Sequence, residues 1–242
     1  MDSASAITIT LLALHGLALG IGGTILVRML LQHRRNGQLS PYPPRPLLDI
    51  YSRPPETNPR PLCWLAIRSV SLEMVQAALG LNRPQPCSWA QGLAGDHGFF
   101  ISPPVNGWVI VTGNALPTPT EDVDATFMFL CAVSRKLGHV QYFYASRQLQ
   151  HHAWARLDDG CVTRGYAWIG ETAWNQGAPT RPETEAGLRI FDYGDPSATR
   201  TDAEINLEKI PLLAARWSLD PAGVKVNSRH QHTGIAGESA FG

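Results

Sequence analysis

The chain has 242 residues, and its 20 Lys plus Arg balance 20 Asp plus Glu, so the formal net charge is zero. That balance argues against a strongly basic nucleic-acid-binding surface and against an acidic solvating tail. A hydrophobic fraction of 44% suffices for a packed core, and the four scattered cysteines, Cys63, Cys87, Cys131 and Cys161, form neither a disulfide framework nor a CxxC metal site.

The first informative segment is Ile7 to Val27, 21 residues without a charged side chain, closed by Arg28. A helix of that length rises about 1.5 Å per residue and just spans a hydrocarbon core about 30 Å thick. A cleaved signal peptide would want a basic n-region and a small-residue cleavage site, whereas Asp2 precedes the run and Arg28, Arg34 and Arg35 follow it. The reading is an uncleaved single-pass anchor over residues 1–35. With Arg on the carboxy-terminal flank, the positive-inside rule places the amino terminus outside and the rest in the cytoplasm of a bacterial inner membrane. Unpaired cysteines agree with a reducing compartment.

Within the span, Gly16 and Gly20 form a GxxxG, and Ala18 with Gly22 repeats the spacing one row over, followed by Gly23. Small residues so placed let helices pack backbone to backbone, so Gly16, Ala18, Gly20, Gly22 and Gly23 are the candidate helix-packing interface. His15 lies near mid-span, where an ionisable ring is expensive and needs a partner. Two readings stand: a hydrogen bond to a neighbouring helix, with no cofactor required, or ligation of a haem or chlorophyll-type pigment beside Gly16.

Residues 36–61 read as a linker, because eight prolines lie between Pro41 and Pro61. Proline removes backbone donors and favours extended polyproline II segments. Leu47, Leu48, Ile50 and Tyr51 add apolar feet, so the stretch is either a semi-rigid spacer or a strap along a partner's surface.

The globular part is expected over 62–224. Cys63–Ser69 alternates like a strand, and Ser71 caps a helix to Leu79 that Gly80 closes. Phe99–Ser102 and Trp108–Thr112 read as strands, and a helix runs from Thr120 or Asp122 to Leu137, ended by Gly138. Val140–Ala145 is a strand, and Ala153–Leu157 with Cys161–Ile169 form a hairpin over Asp158-Asp159-Gly160. Thr201 with Glu204 reads as a capping box for a last helix in which Pro211 sits. Helices and strands do not alternate regularly, which predicts an α+β fold with a largely antiparallel sheet and flanking helices. Residues 225–242 are polar and Gly-rich and read as a tail.

No catalytic constellation emerges. GxSxG, GxGxxG and GxxxxGK[ST] are absent, and His139, His151 and His152 lack metal-ligand spacing. Glu183 and Glu185 follow a proline, where helix N-terminal capping accounts for them. Seven tryptophans are many, and most read as core. Trp174, in Glu171-Thr172-Ala173-Trp174-Asn175-Gln176-Gly177, reads as an exposed partner contact in a polar loop.

The run Pro86-Cys87-Ser88-Trp89-Ala90-Gln91-Gly92-Leu93, Phe99-Phe100-Ile101-Ser102-Pro103-Pro104, Gly107-Trp108-Val109-Ile110-Val111, Val140-Gln141-Tyr142-Phe143, His152-Ala153-Trp154-Ala155-Arg156 and Trp217-Ser218-Leu219-Asp220-Pro221 resembles bacterial proteins of unknown function over residues 62–221. That resemblance implies no activity. The layout of an outside amino terminus, one helix, the turn His33-Arg34-Arg35-Asn36-Gly37 and a Pro-rich approach to a cytoplasmic domain resembles the H subunit of bacterial photosynthetic reaction centres, in architecture only.

Two functions are therefore expected. The first is a non-catalytic accessory subunit that stabilises a larger membrane complex, photosynthetic or respiratory, from its cytoplasmic face. Its partners are transmembrane helices, the complex and the lipid bilayer, not nucleic acid. The second is a membrane-tethered enzyme or small-molecule sensor with a pocket in the α+β domain.

Overall fold

The computed structural model describes residues 58–69, 71–224 and 233–239, which belong to one compact unit beginning at Pro54. The span 7–27 and residues 36–57 of the linker or strap lie outside the described residues. No helix among the described residues is long and apolar enough to cross a membrane.

The fold is mixed α+β. Nine strands among the described residues form one sheet: β1 (Cys63–Arg68), β2 (Leu81–Cys87), β3 (Phe99–Ile101), β4 (Trp108–Thr112), β5 (Val140–Ser146), β6 (His151–Asp158), β7 (Cys161–Trp168), β8 (Thr172–Gln176) and β9 (Gly234–Ser239). Their order is β2-β9-β3-β4-β1-β5-β6-β7-β8, and every pairing is antiparallel. The helices are α1 (Leu72–Leu79), α2 (Trp89–Ala94), α3 (Val123–Leu137), α4 (Arg181–Ala186) and α5 (Arg200–Trp217).

Alternation sorts the side chains into two cores. On one face Leu65, Ile67, Tyr142, Ala153 and Ala155 pack with Val75 and Leu79 of α1 and Leu130 and Val133 of α3. On the other, Trp64, Phe143, Trp154 and Tyr166 pack with Trp89 of α2 and Ile210, Leu213 and Trp217 of α5. The central strand β1 is apolar on both faces because helices cover both, and only its last residue, Arg68, is exposed.

Local signals read from the sequence are realised at several ends. Ser71 Oγ caps α1, Gly80 closes it at φ 61°, and Asp122 caps α3. The β6–β7 hairpin turns on Asp159 and Gly160, at φ 50° and 82°. Positive φ at both central positions is the two-residue turn whose twist matches its strands.

Three expectations need correction. The capping box of α5 is Thr199 with Asp202, not Thr201 with Glu204. Both pairs fit the pattern, but the helix starts earlier, and Glu204 instead accepts from Gln150 across to the β5–β6 turn. Part of the supposed tail, Gly234–Ser239, is a strand inserted between β2 and β3. Its glycines are a packing requirement: a Cβ at Gly237 would lie 2.3 Å from the Asn82 carbonyl oxygen. Trp174 is the third, and its place follows with the site.

The outer strands are guarded. β2 carries Pro84 and Pro86 with an irregular register between Asn82 and Gln85. Prolines at an edge deny donors to an added strand. At the opposite edge the Tyr193 hydroxyl accepts from Asn175 N at 2.7 Å, covering part of β8.

Candidate functional site

The strongest concentration of polar chemistry lies on the α5 face of the sheet. Residues 152, 154, 156 and 158 share one face of β6, and the register sets Arg156 between Gln141 of β5 and Arg164 of β7. A charged row therefore runs across the middle of the sheet beneath apolar rings.

Arg164 is fully buried. Its Nε donates to Glu183 Oε1 at 2.8 Å, and its Nη1 reaches Asn175 Oδ1 and the carbonyls of Gly165, Gln176 and Gly177. Glu183, also fully buried, accepts from Trp154 Nε1 at 2.7 Å and, through Oε2, from Thr180 N at 2.6 Å. Glu183 is thus the capping residue that its place after Pro182 implied and also the counter-ion of a buried arginine. A charge so deep is tolerated only when paired and hydrogen-bonded.

His152 is buried against Trp154 and Tyr166, with its ring stacked on Trp154 at 10°. Asn206 Oδ1 accepts from Arg189 N and its Nδ2 donates to Arg189 O, each at 2.7 Å, which fixes the amide. The same Nδ2 lies 3.0 Å from His152 Nε2, so that nitrogen accepts and the ring proton sits on Nδ1. Burial, with a smaller contribution from His151, pulls His152 down to about 3. It stays neutral at physiological pH.

At the far end of the row His139 Nδ1 meets Asp158 Oδ1 in a short hydrogen bond, and Gln141 Nε2 bridges His139 Nε2 at 3.0 Å and the Trp217 carbonyl at 3.1 Å. Burial would raise the Asp158 carboxyl, but the His139 bond and the Arg156 charge together hold it below the ordinary carboxylate range. Six buried side-chain atoms lack a partner among the described residues: Trp64 Nε1, Gln141 Oε1, His152 Nδ1, Arg156 Nε, Asp158 Oδ2 and Arg164 Nη2. By strand parity all six belong to this one face.

Other groups are less suited to chemistry. Cys87 Sγ lies 3.6 Å from His97 Nε2, but burial raises the thiol, which opposes the thiolate a nucleophile needs. Burial pushes the Cys63 thiol up to about 12, with the Tyr142 hydrogen bond only partly offsetting it. A cleft of about 250 Å3 at the α5 amino terminus is lined by Leu149, Gln150, Trp168, Thr199 and Arg200 among others. No group of three or more His, Cys, Asp or Glu able to hold a metal ion occurs among the described residues.

The sequence-derived site residues fare differently. His15, Gly16, Ala18, Gly20, Gly22, Gly23, Leu47, Leu48, Ile50 and Tyr51 lie outside the described residues. Trp174 is not an exposed loop residue: it sits in β8 at 7% exposure. Its ring occupies the space a Cβ at Gly165 would need, 2.5 Å away, and takes the edge of Phe127 at 5.7 Å. The polar neighbours that made the stretch look like a loop are the outward half of a strand. Sequence reading missed Gln141, Arg164 and Asn206, although the alternation of Arg156 and Arg164 with Trp154 and Tyr166 placed charge on a buried face.

The chain matches no protein-family model, no curated protein and no solved structure.

Proposed function

We propose that the protein is a non-catalytic, single-pass accessory subunit of a larger bacterial membrane complex, with its α+β domain at the cytoplasmic face. The observation that carries this reading is the uncharged run Ile7–Val27 closed by Arg28, Arg34 and Arg35. The small-residue ridge from Gly16 to Gly23 and the polar ring of His15 suit a helix packed against protein, where a mere tether needs only leucines. In the domain, the chain arriving from the amino-terminal side is clamped rather than loose. Arg60 donates to both carboxylate oxygens of Asp220, at 2.9 and 3.3 Å, and Asn58 Nδ2 donates to the Val224 carbonyl at 2.9 Å. A clamp on the last residues of the Pro-rich stretch suits a rigid cap on a complex. Hydrogen bonding of His15 to a neighbouring helix needs no cofactor, and pigment or haem ligation is the alternative at that position.

Topology is the test. In intact spheroplasts a cysteine replacing Ser3 should react with a membrane-impermeant thiol reagent, while exposed Cys161 reacts only after lysis. Labelling of Cys161 with Ser3→Cys protected overturns the reading.

The six unpartnered polar atoms on one face favour a second reading, a membrane-tethered sensor of a small polar molecule. That reading requires a ligand that raises the thermal midpoint of the domain, and loses the rise in Arg156→Leu.

A further inference from the structure

The end of the polar row connects to the clamp. Gln141 Nε2 lies 3.1 Å from the carbonyl oxygen of Trp217, the last residue of α5. A carbonyl only accepts, so the carboxamide must turn its NH2 that way. The same NH2 faces His139 Nε2 at 3.0 Å, which therefore offers its lone pair, and the ring proton resides on Nδ1, donated to Asp158. Three residues past Trp217, Asp220 holds Arg60, and Val224 holds Asn58.

The groups around His139 come from several elements. Asp158 and, two residues before it on the same face, Arg156 lie on β6. Trp108 of β4 meets the ring edge at 5.5 Å, and Arg68 of β1 lies over Trp108 at 6.0 Å. From α5 comes the carbonyl end, with its negative partial charge. Asp158 and the helix end bring negative charge to this corner, and Arg156 and Arg68 bring positive charge.

We propose that His139, Gln141 and the Trp217 carbonyl form a proton-operated latch, which on protonation of His139 releases the carboxy-terminal end of α5 and loosens the hold of residues 220–224 on Asn58 and Arg60. A proton from solvent adds to the His139 Nε2 lone pair and no other bond is made or broken covalently. The new N–H then points at the Gln141 NH2, donor against donor. Turning the amide relieves that clash by presenting Oε1 to the imidazolium, but it presents Oε1 to the Trp217 oxygen as well, so that carbonyl loses its donor. The Nδ1–H bond to Asp158 persists and keeps the charged ring in place. The latch lies wholly within the described domain and does not rest on the membrane reading.

Hydrogen exchange of the full chain in detergent, corrected for intrinsic rates, tests it at pH 8 and pH 5.5. Amides of Ser218, Ala222, Gly223 and Val224, which are hydrogen-bonded in the structure, should lose about tenfold protection at the lower pH, the equivalent of one hydrogen bond. His139→Asn keeps a donor for Asp158 but takes up no proton there, so wild type should lose about tenfold more protection than the variant, any loss through His152 being common to both. An unchanged wild type, or the same acid-induced loss in His139→Asn, overturns the latch. Should that variant fail to fold, long-range 15N spectra of the wild type at pH 8 decide the matter. A ring proton on Nδ1 supports the latch, and one on Nε2 refutes it.

Discussion

Acid should unfold this domain through His152. The unfolded side chain binds a proton below about 6.5, whereas the folded ring, desolvated between Trp154, Tyr166 and α5, does not until about 3. Between those values the unfolded state holds one more proton. Stability is therefore fully present above the upper value and is lost as pH falls through the window, at about 1.4 kcal/mol per pH unit. At pH 4.5, two units into the window, the loss reaches about 2.7 kcal/mol, a large part of a typical domain's stability. His152→Phe keeps an aromatic ring against Trp154 and removes the titration. It gives up the Asn206 contact at a cost of about 1 kcal/mol that does not vary with pH. Urea midpoints of both chains, followed by tryptophan fluorescence between pH 7.5 and 4.5, isolate the effect as a difference. Wild type should lose stability faster than His152→Phe by about 1.4 kcal/mol per unit below pH 6. His151 and His139 are present in both chains and cancel, and Asp158, held below the usual carboxylate range, contributes only under about pH 4. Parallel curves for the two proteins would refute the claim that His152 is folded neutral.

Further outcomes follow from the same packing. Glu183→Ala leaves Arg164 buried without its counter-ion and Trp154 Nε1 and Thr180 N without an acceptor, and should lower stability by about 3–5 kcal/mol in denaturant titrations. Trp174→Ala should cost about 3–5 kcal/mol as a core truncation beside Gly165 and Phe127, where a surface contact residue would leave the unfolding midpoint in place. His15→Leu should leave the absorption spectrum of the purified complex unchanged and weaken its assembly by about 1 kcal/mol; loss of a Soret or near-infrared band would show instead that the histidine holds a chromophore.

How far the fold was legible depended on the kind of signal. Turns and caps are local, so Ser71, Gly80, Asp122 and the Asp159-Gly160 turn could be read directly. Strands whose composition contradicts their state could not. β2 is built of Asn, Arg, Gln and two prolines and is tolerable only at an edge, while β9 is Gly-rich because three backbones approach closely there. Both depend on pairing between residues some 150 positions apart, which no local window contains. The buried layer was hidden for a related reason. Arg164 and Glu183 look like surface charges until β7 and α4 are brought together, and the small residues that admit this packing carry no charge pattern of their own. Trp174 shows the converse: hydrophilic neighbours along the chain mark only the outward side of a strand.

The claim that this chain serves as a subunit, rather than as a tethered free domain, is tested most directly by isolating it from native membranes in mild detergent. The account predicts that the chain co-migrates with a membrane partner in fixed stoichiometry. It also predicts that replacing Gly16 and Gly20 with leucine, which widens the distance between helix backbones, frees the chain from that partner while leaving it in the membrane. Migration of the wild-type chain alone, or a partner retained unchanged by the leucine variant, would contradict it.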